Sequence, residues 1–286
     1  MTLLPGFADP AHPQRPQRLH MESLGRGPLR VTFLPGLGGT TRYWTSTPVA
    51  PVFRHAQTEL VDLYGFGHSP RPWCRYTVER HVDALARTLQ PGVPRVLVGH
   101  SLGAALAVAL AARHPDRVQA LCLLGLPDYG SRAGAVEWFA SQRGGWVYTN
   151  MLATALACLV TRRVAGHWLP HLVRDVPPEV ARDLVLHNMA SSTTSLWEVL
   201  YRHDVRVEAA ALPPGLPVTC VHGTRDLTAP PARVTELAAR FPQWRHVMLD
   251  ADHHPWLRAP GACHTEVNVL CEAVWPRSVR AGAIAP

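Results

Sequence analysis

The chain has 286 residues, enough for one large α/β domain or a domain with an insertion, and enough to bury a sizeable core. Its 28 basic side chains are all arginine and stand against 21 acids for a net charge of +7, yet they are scattered, with Arg162-Arg163 the sole adjacent pair. Arginine without any lysine reads as a coding bias, so no nucleic-acid partner is expected, and an anionic substrate is the less remote implication of the charge.

Residues 1–18 lack the basic start and continuous apolar core of a signal peptide and carry Pro5, Pro10, Pro13 and Pro16, so they read as a flexible lead-in. Strands are expected over Arg30–Leu34 and Thr58–Leu63, with a helix over Thr40–Ala50 between them and an amphipathic helix over Thr77–Leu89 after them. Next come a strand over Arg95–Gly99, a helix over Leu102–Arg113 stopped by Pro115, and a strand over Val118–Gly125. The stretch 127–214 interrupts the alternation, with no clear strand and helices expected over Ala133–Gln142, Tyr148–Thr161, Pro178–Met189 and Thr193–Tyr201. The pattern then resumes with strands over Pro217–His222 and His246–Asp250 and helices over Pro231–Phe241 and Gly261–Trp275.

Such alternation implies an α/β fold, a doubly wound and mostly parallel sheet covered by helices on both faces, which binds ligands at the carboxyl ends of its strands. The expected organisation is a core in two parts, 19–126 and 215–275, a helical cap inserted at 127–214, and a loose tail at 276–286. The most apolar windows, Leu102–Ala112 and Met151–Val160, fall well short of the roughly 20 residues that a spanning helix needs, so no membrane span is expected. Six cysteines (Cys74, Cys122, Cys158, Cys220, Cys263 and Cys271) show no paired spacing and read as free, buried thiols of a cytoplasmic protein. Oligomeric state is not legible.

The most informative residues are Gly99-His100-Ser101-Leu102-Gly103, set between an apolar strand and an Ala/Leu-rich helix. Glycine two positions either side of Ser101 permits a tight strand-to-helix corner from which the hydroxyl projects. A serine hydroxyl needs a general base oriented by a carboxylate, and both partners belong at strand ends. Asp226 follows the strand ending at His222, and His253 follows the strand after that, giving the chain order Ser, Asp, His.

With these residues the chain resembles the α/β-hydrolase fold superfamily, in its capped esterase, lipase and carbon-carbon hydrolase branch. The likeness covers about Leu29–Trp275 and rests on four motifs in order: Leu34-Pro35-Gly36-Leu37-Gly38-Gly39 with Trp44 beyond it, Asp62 through Ser69, the corner at Ser101, and the acid and histidine segments. The resemblance implies Ser101 as nucleophile, His253 as general base and Asp226 as its orienting acid, with the backbone N–H groups of Leu37 and Leu102 as the oxyanion hole. Alternatives stay open. His254 competes with His253, although Pro260 stands the family's seven positions after His253, and Asp128 occupies another acid position known in the fold. Two departures are Asp252, where a glycine usually precedes the histidine, and Pro35, where a histidine usually precedes Gly36. The segment from Asp62 to Ser69 implies a chiefly structural loop.

The glycine-rich loop lacks both the dinucleotide and the P-loop patterns, so no nucleotide cofactor is expected. Sixteen histidines raise the question of a metal, but no Cys-x-x-Cys pair accompanies them and the adjacent His253 and His254 point in different directions, so none is expected. Trp138, Trp146, Trp168 and Trp197 together suggest an apolar pocket in the cap, while Arg162, Arg163 and His167 read as solvated surface rather than as a carboxylate clamp. Serine at the corner, rather than aspartate, argues against dehalogenase or epoxide hydrolase chemistry. The resemblance implies a cofactor-free serine hydrolase cleaving a small or medium, mostly apolar carboxylic ester through an acyl-enzyme. Carbon-carbon, thioester or lactone hydrolysis, acyl transfer and peroxidation on the same triad remain open, as does a ligand-binding, receptor-like member with little turnover.

Overall fold

The computed structural model describes residues 18–47, 56–165, 168, 171, 173 and 175–275, with backbone alone at 164 and 165. The expected lead-in, apart from Arg18, the end of the expected helix at 48–50, the tail 276–286 and His167 lie outside the described residues. Seven strands, β1 (Met21–Leu24), β2 (Leu29–Leu34), β3 (Ala56–Val61), β4 (Arg95–His100), β5 (Ala120–Leu124), β6 (Val218–Gly223) and β7 (Arg245–Leu249), form one sheet in the order β1-β3-β2-β4-β5-β6-β7. The mostly parallel, doubly wound sheet expected from the alternation is present: β1 runs antiparallel to β3 and every other pairing is parallel. β1 is the strand that pattern reading passed over, because all four of its residues are exposed and carry no apolar alternation.

Helices cover both faces. On one lie α2 (Val78–Thr88), α3 (Leu102–Arg113) and α10 (Pro231–Arg240), packed on Leu97, Leu121, Leu123 and Cys220; on the other lie α1 (Thr41–Thr45) and α12 (Pro260–Val274), packed on Val31, Phe33, Val96, Val98, Cys122 and Val221. Val96 and Val98 facing one layer while Leu97 faces the other is the two-residue period of a strand buried on both sides. In α3, the ten residues from Leu102 to Ala111 are all buried, which is why its sequence has no polar stripe. The small alanines let this central helix sit close to β4. All six cysteines are free and buried.

A buried ionic cluster stiffens the sheet. Thr32 donates its hydroxyl to Glu59 Oε2 at 2.6 Å, and Arg95 donates from Nε to that hydroxyl at 2.9 Å and from its guanidinium to the same carboxylate oxygen at 3.4 Å. The loop after β3 is braced similarly: buried Asp62 accepts the backbone N–H groups of Thr41 and His68, each at 2.8 Å. Gly67 sits at φ +56° against that carboxylate, where a Cβ would lie 2.2 Å from Oδ2, so the residue has to be glycine. These contacts fit the structural part expected for the Asp62–Ser69 segment.

Between β5 and β6 the chain forms α4 (Arg132–Ser141), α5 (Trp146–Thr149), α6 (Met151–Val160), α7 (Pro178–Asp183), α8 (Met189–Ser195), which widens into a π-turn over Leu196–Tyr201, and α9 (Val205–Ala210). Several expected boundaries here need correction. The single helix expected over Tyr148–Thr161 is two, because extended Asn150 turns the chain and its side chain caps α6 by accepting the N–H groups of Leu152 and Ala153. The helix begun at Pro178 ends at Asp183 rather than Met189, since Leu186 and His187 leave it to pair with Gly67 and Phe66. α9, capped by Asp204, was not anticipated. The short α11 (Pro255–Arg258) links the histidine loop to α12.

Candidate active site

The corner at Ser101 is built by close approach. Ser101 has φ 52° and ψ −116°, the one non-glycine residue with positive φ among the described residues, and its N–H is held by Leu124 O at 2.9 Å. A Cβ at Gly99 would lie 2.5 Å from Gly103 O, and one at Gly103 would lie 2.2 Å from Leu34 O, so side chains at these positions would push β2, β4 and α3 apart. Both glycines are therefore demanded by the strand-turn-helix packing that holds the serine in its strained conformation.

The glycine loop after β2 lies against this corner. A Cβ at Gly36 would stand 2.9 Å from His100 Nδ1 and 3.3 Å from the Ser101 Cβ, and Gly39 closes the turn by donating its N–H to Gly36 O at 3.0 Å. Leu37 sits within that turn, and Leu102 opens α3, where a first-turn N–H has no intrahelical acceptor. The two backbone groups named from the resemblance thus lie on the two segments that meet at Ser101.

Asp226 and His253, 27 residues apart in the chain, are joined by a hydrogen bond of 2.7 Å between Asp226 Oδ2 and His253 Nδ1. The carboxylate is buried, and its Oδ1 accepts the N–H groups of Thr228 and Ala229, each at 2.8 Å. Burial on its own would raise the Asp226 carboxyl; the hydrogen bond and charge of His253, the nearby His222 and the Ala229 N–H outweigh it and hold the group below the ordinary carboxylate value. Asp128 is buried elsewhere, accepting the Gly130 N–H at 2.8 Å and standing 3.8 Å from Arg206, and it makes no hydrogen bond to His253. His254 is turned 67° from the His253 ring, 5.5 Å away, and is tethered by its N–H to Asp252 Oδ1 at 2.9 Å. Burial, followed by the neighbouring His253, pushes His254 down to about 4.

Two histidines near the site were not singled out from the sequence. His222 is fully buried at the end of β6, with Nε2 3.0 Å from Ala229 O and 3.3 Å from Asp226 Oδ2. His100, within the Ser101 motif itself, directs Nε2 at His253 O over 2.8 Å and stacks on Tyr43 with ring centroids 4.7 Å apart. Burial lowers both, so each is a neutral ring that donates from Nε2. Proximity in sequence to Asp226 and Ser101 was the one available signal.

Ser101, His253 and His254 line a cavity of about 310 Å³. Gly36, Leu37, Gly39 and Tyr43 form one wall, and Tyr129, Phe139, Tyr148, Val180, Leu196 and Leu200 supply much of the rest. The lining is mostly apolar, but the four tryptophans expected to form it do not. Trp197 is buried beside Tyr201 under the Arg132 guanidinium, Trp138 donates its indole N–H to Leu227 O at 3.0 Å, and Trp146 and Trp168 are exposed. Arg162 and Arg163 are exposed as well.

One group among the described residues brings three metal-ligand side chains together, His20, Asp62 and His68, at the β1 edge of the sheet, and none of them lines the Ser101 cavity. Asp62 there already accepts two backbone N–H groups. The expectation that no His-x-x-x-His pair is present needs correction, since His167 and His171 have that spacing, with His167 outside the described residues. No described helix is long and apolar enough to cross a membrane.

Among curated proteins the chain is 27% identical over 258 residues to "Probable lysophospholipase BODYGUARD 1" of Arabidopsis thaliana, covering 78% of this chain and 54% of that protein. It spans about half of that plant protein's length, and a match to its BODYGUARD 4 counterpart covers 25% of the latter. A pimeloyl-[acyl-carrier protein] methyl ester esterase of Aeromonas hydrophila is 29% identical over 258 residues, covering 84% of this chain and 94% of the esterase. Among solved structures, the enol-lactonase of Burkholderia xenovorans superposes with a TM-score of 0.66 at 27% identity, over 89% of this chain and 96% of that one. The sequence pattern of the alpha/beta hydrolase fold matches residues 30–260, and with the sheet order and the serine corner this makes the chain a member of the alpha/beta hydrolase fold family.

Proposed function

We propose that this protein is a serine hydrolase that cleaves a small or medium, mostly apolar carboxylic ester without a cofactor, and that residues 127–214 act as a cap over the reacting serine. The observation that carries the reading is the 2.7 Å hydrogen bond between His253 and buried Asp226, with His253 and Ser101 opening into one apolar cavity. Because Nδ1–H donates to Asp226, Nε2 of His253 carries the lone pair and takes the Ser101 proton as Oγ attacks the carbonyl carbon. Negative charge builds on the carbonyl oxygen, where the Leu37 and Leu102 N–H groups stabilise it. His253 then returns the proton to the departing alcohol, and the acyl group stays on Ser101. Water, deprotonated by His253, attacks the acyl-enzyme, and the acid leaves as Ser101 regains its proton. Asp226 remains ionised throughout and stabilises the imidazolium.

The cap reading is supported by the lining of the cavity, which takes Tyr129, Phe139, Tyr148, Val180, Leu196 and Leu200 from 127–214. These side chains leave the acyl group an apolar channel and keep bulk water from the attacked carbonyl. A lactone is the second reading, favoured by the enol-lactonase likeness across 96% of that chain; ring opening follows the same steps with the alcohol tethered. Purified protein should label stoichiometrically with a fluorophosphonate at Ser101 and turn over p-nitrophenyl esters, with both lost in Ser101→Ala. Absence of labelling and of turnover across ester, thioester and lactone panels would overturn the hydrolase reading in favour of a binding role.

A further inference from the structure

Among the described residues, nothing covers the outer, apolar face of the α5–α6 hairpin. Trp146 is 65% exposed, Leu152 63% and Leu156 61%, with Leu159 and Val160 also exposed. In α6, Leu152, Leu156 and Leu159 follow one another at four and three residues and form a single outward stripe, while Thr154 and Cys158 turn inward. Thr154 donates its hydroxyl to Val147 O at 2.7 Å and Cys158 rests beside His187, so the inward face is already packed and the outward face is left over. An exposed apolar patch of this kind on a soluble fold marks a contact surface.

The charge around the stripe identifies the partner. Between Glu137 and Asp175 the chain has no acidic residue at all, and Arg143 precedes the stripe while Arg162 and Arg163 follow it, all three exposed. A two-fold contact between copies would set this arginine-flanked stretch, free of acids, against a second copy of itself, whereas an anionic lipid surface supplies the opposite charge. Leucines flanked by tryptophan and arginine suit a helix lying in the plane of a lipid headgroup layer. The same hairpin turns Tyr148 into the cavity beside Ser101, so the surface and the reacting serine share one wall.

We infer that the α5–α6 face docks onto the surface of anionic lipid, with α6 lying parallel to it. This goes beyond the hydrolase reading and is tested apart from it. Sedimentation with vesicles of mixed phosphatidylglycerol and phosphatidylcholine uses the full chain carrying Ser101→Ala, so that binding is measured without turnover. The protein should pellet with the mixed vesicles, less so with added salt, and not with pure phosphatidylcholine. Leu152→Ser, Leu156→Ser and Leu159→Ser together should abolish pelleting. Arg162→Gln with Arg163→Gln should weaken it about 25-fold, or about fivefold (~1 kcal/mol) per arginine. With Ser101 restored, the triple leucine variant should hydrolyse soluble p-nitrophenyl acetate as before, which checks that it folds. Failure of the parent protein to pellet with mixed vesicles, or undiminished pelleting of the triple variant, would overturn the proposal. So would a dimer that the leucine changes dissolve without any vesicle binding.

Discussion

The sheet core and the helices of 127–214 spend their apolar residues differently. In the core, Leu97, Val98 and Leu102–Ala111 are buried, and even the charged Glu59 and Arg95 are enclosed and paired. In that second segment, Trp146, Leu152 and Leu156 are exposed while Phe139, Trp197 and Tyr201 form a small cluster of their own. A core whose strands and helices approach to backbone contact tolerates few sequences, and it writes itself into glycine motifs. A layer that packs on one side has its other face free to meet something else.

Changes at the serine should produce the largest losses. Ser101→Ala or His253→Ala is expected to reduce kcat by roughly 10⁶-fold, as when a triad member that moves the proton is removed, with steady-state ester hydrolysis as the measurement. His254→Ala should keep most activity, and the reverse ranking would exchange the two histidines. Asp226→Asn should cost about 10⁴-fold, whereas Asp128→Asn should leave turnover close to the parent level. If Asp128→Asn proves the damaging change, the acid has been misassigned.

Within the sheet, Glu59→Gln should destabilise the fold by about 3–5 kcal/mol, because it leaves the Arg95 guanidinium buried against a neutral partner; denaturant melts measure this. A comparable acid sensitivity is expected from the buried histidines. Burial lowers His81 to about 3 and His254 to about 4, and it lowers His100 and His222 too, so all four are neutral in the folded protein. Between those values and 6.5 the unfolded chain binds more protons than the folded one, so stability is full above pH 6.5 and falls as pH drops toward 4. A flat Tm over that window would contradict neutral burial. The smallest effect belongs to the outer helix: Leu156→Ser should change stability by less than about 0.5 kcal/mol, as expected where no packing is lost. A clear drop in Tm would mean that this face is covered in the free protein.

Much of the fold was legible because its signals are local. Alternation of short apolar runs with helices placed six of the seven strands, and β1 escaped because an exposed edge strand carries no such pattern. The segment 127–214 was less legible. Asn150 splits a continuous apolar run into two helices, and the end of α7 depends on pairing with Phe66 and Gly67, more than a hundred residues earlier. The tryptophans misled for a related reason: composition says that a segment is aromatic, and packing decides which aromatic faces the cavity.

By itself the sequence determined six strands of the sheet, the strained corner at Ser101 and the chain order of serine, acid and histidine, since these follow from residue-scale periodicity and from glycines demanded by backbone contact. Only the tertiary structure decided that Asp226 rather than Asp128 meets His253, that His100 reaches the His253 carbonyl 153 residues away, and that one face of α6 is left uncovered among the described residues. Those outcomes depend on the angles at which separate strand ends converge, and no local run of residues encodes them.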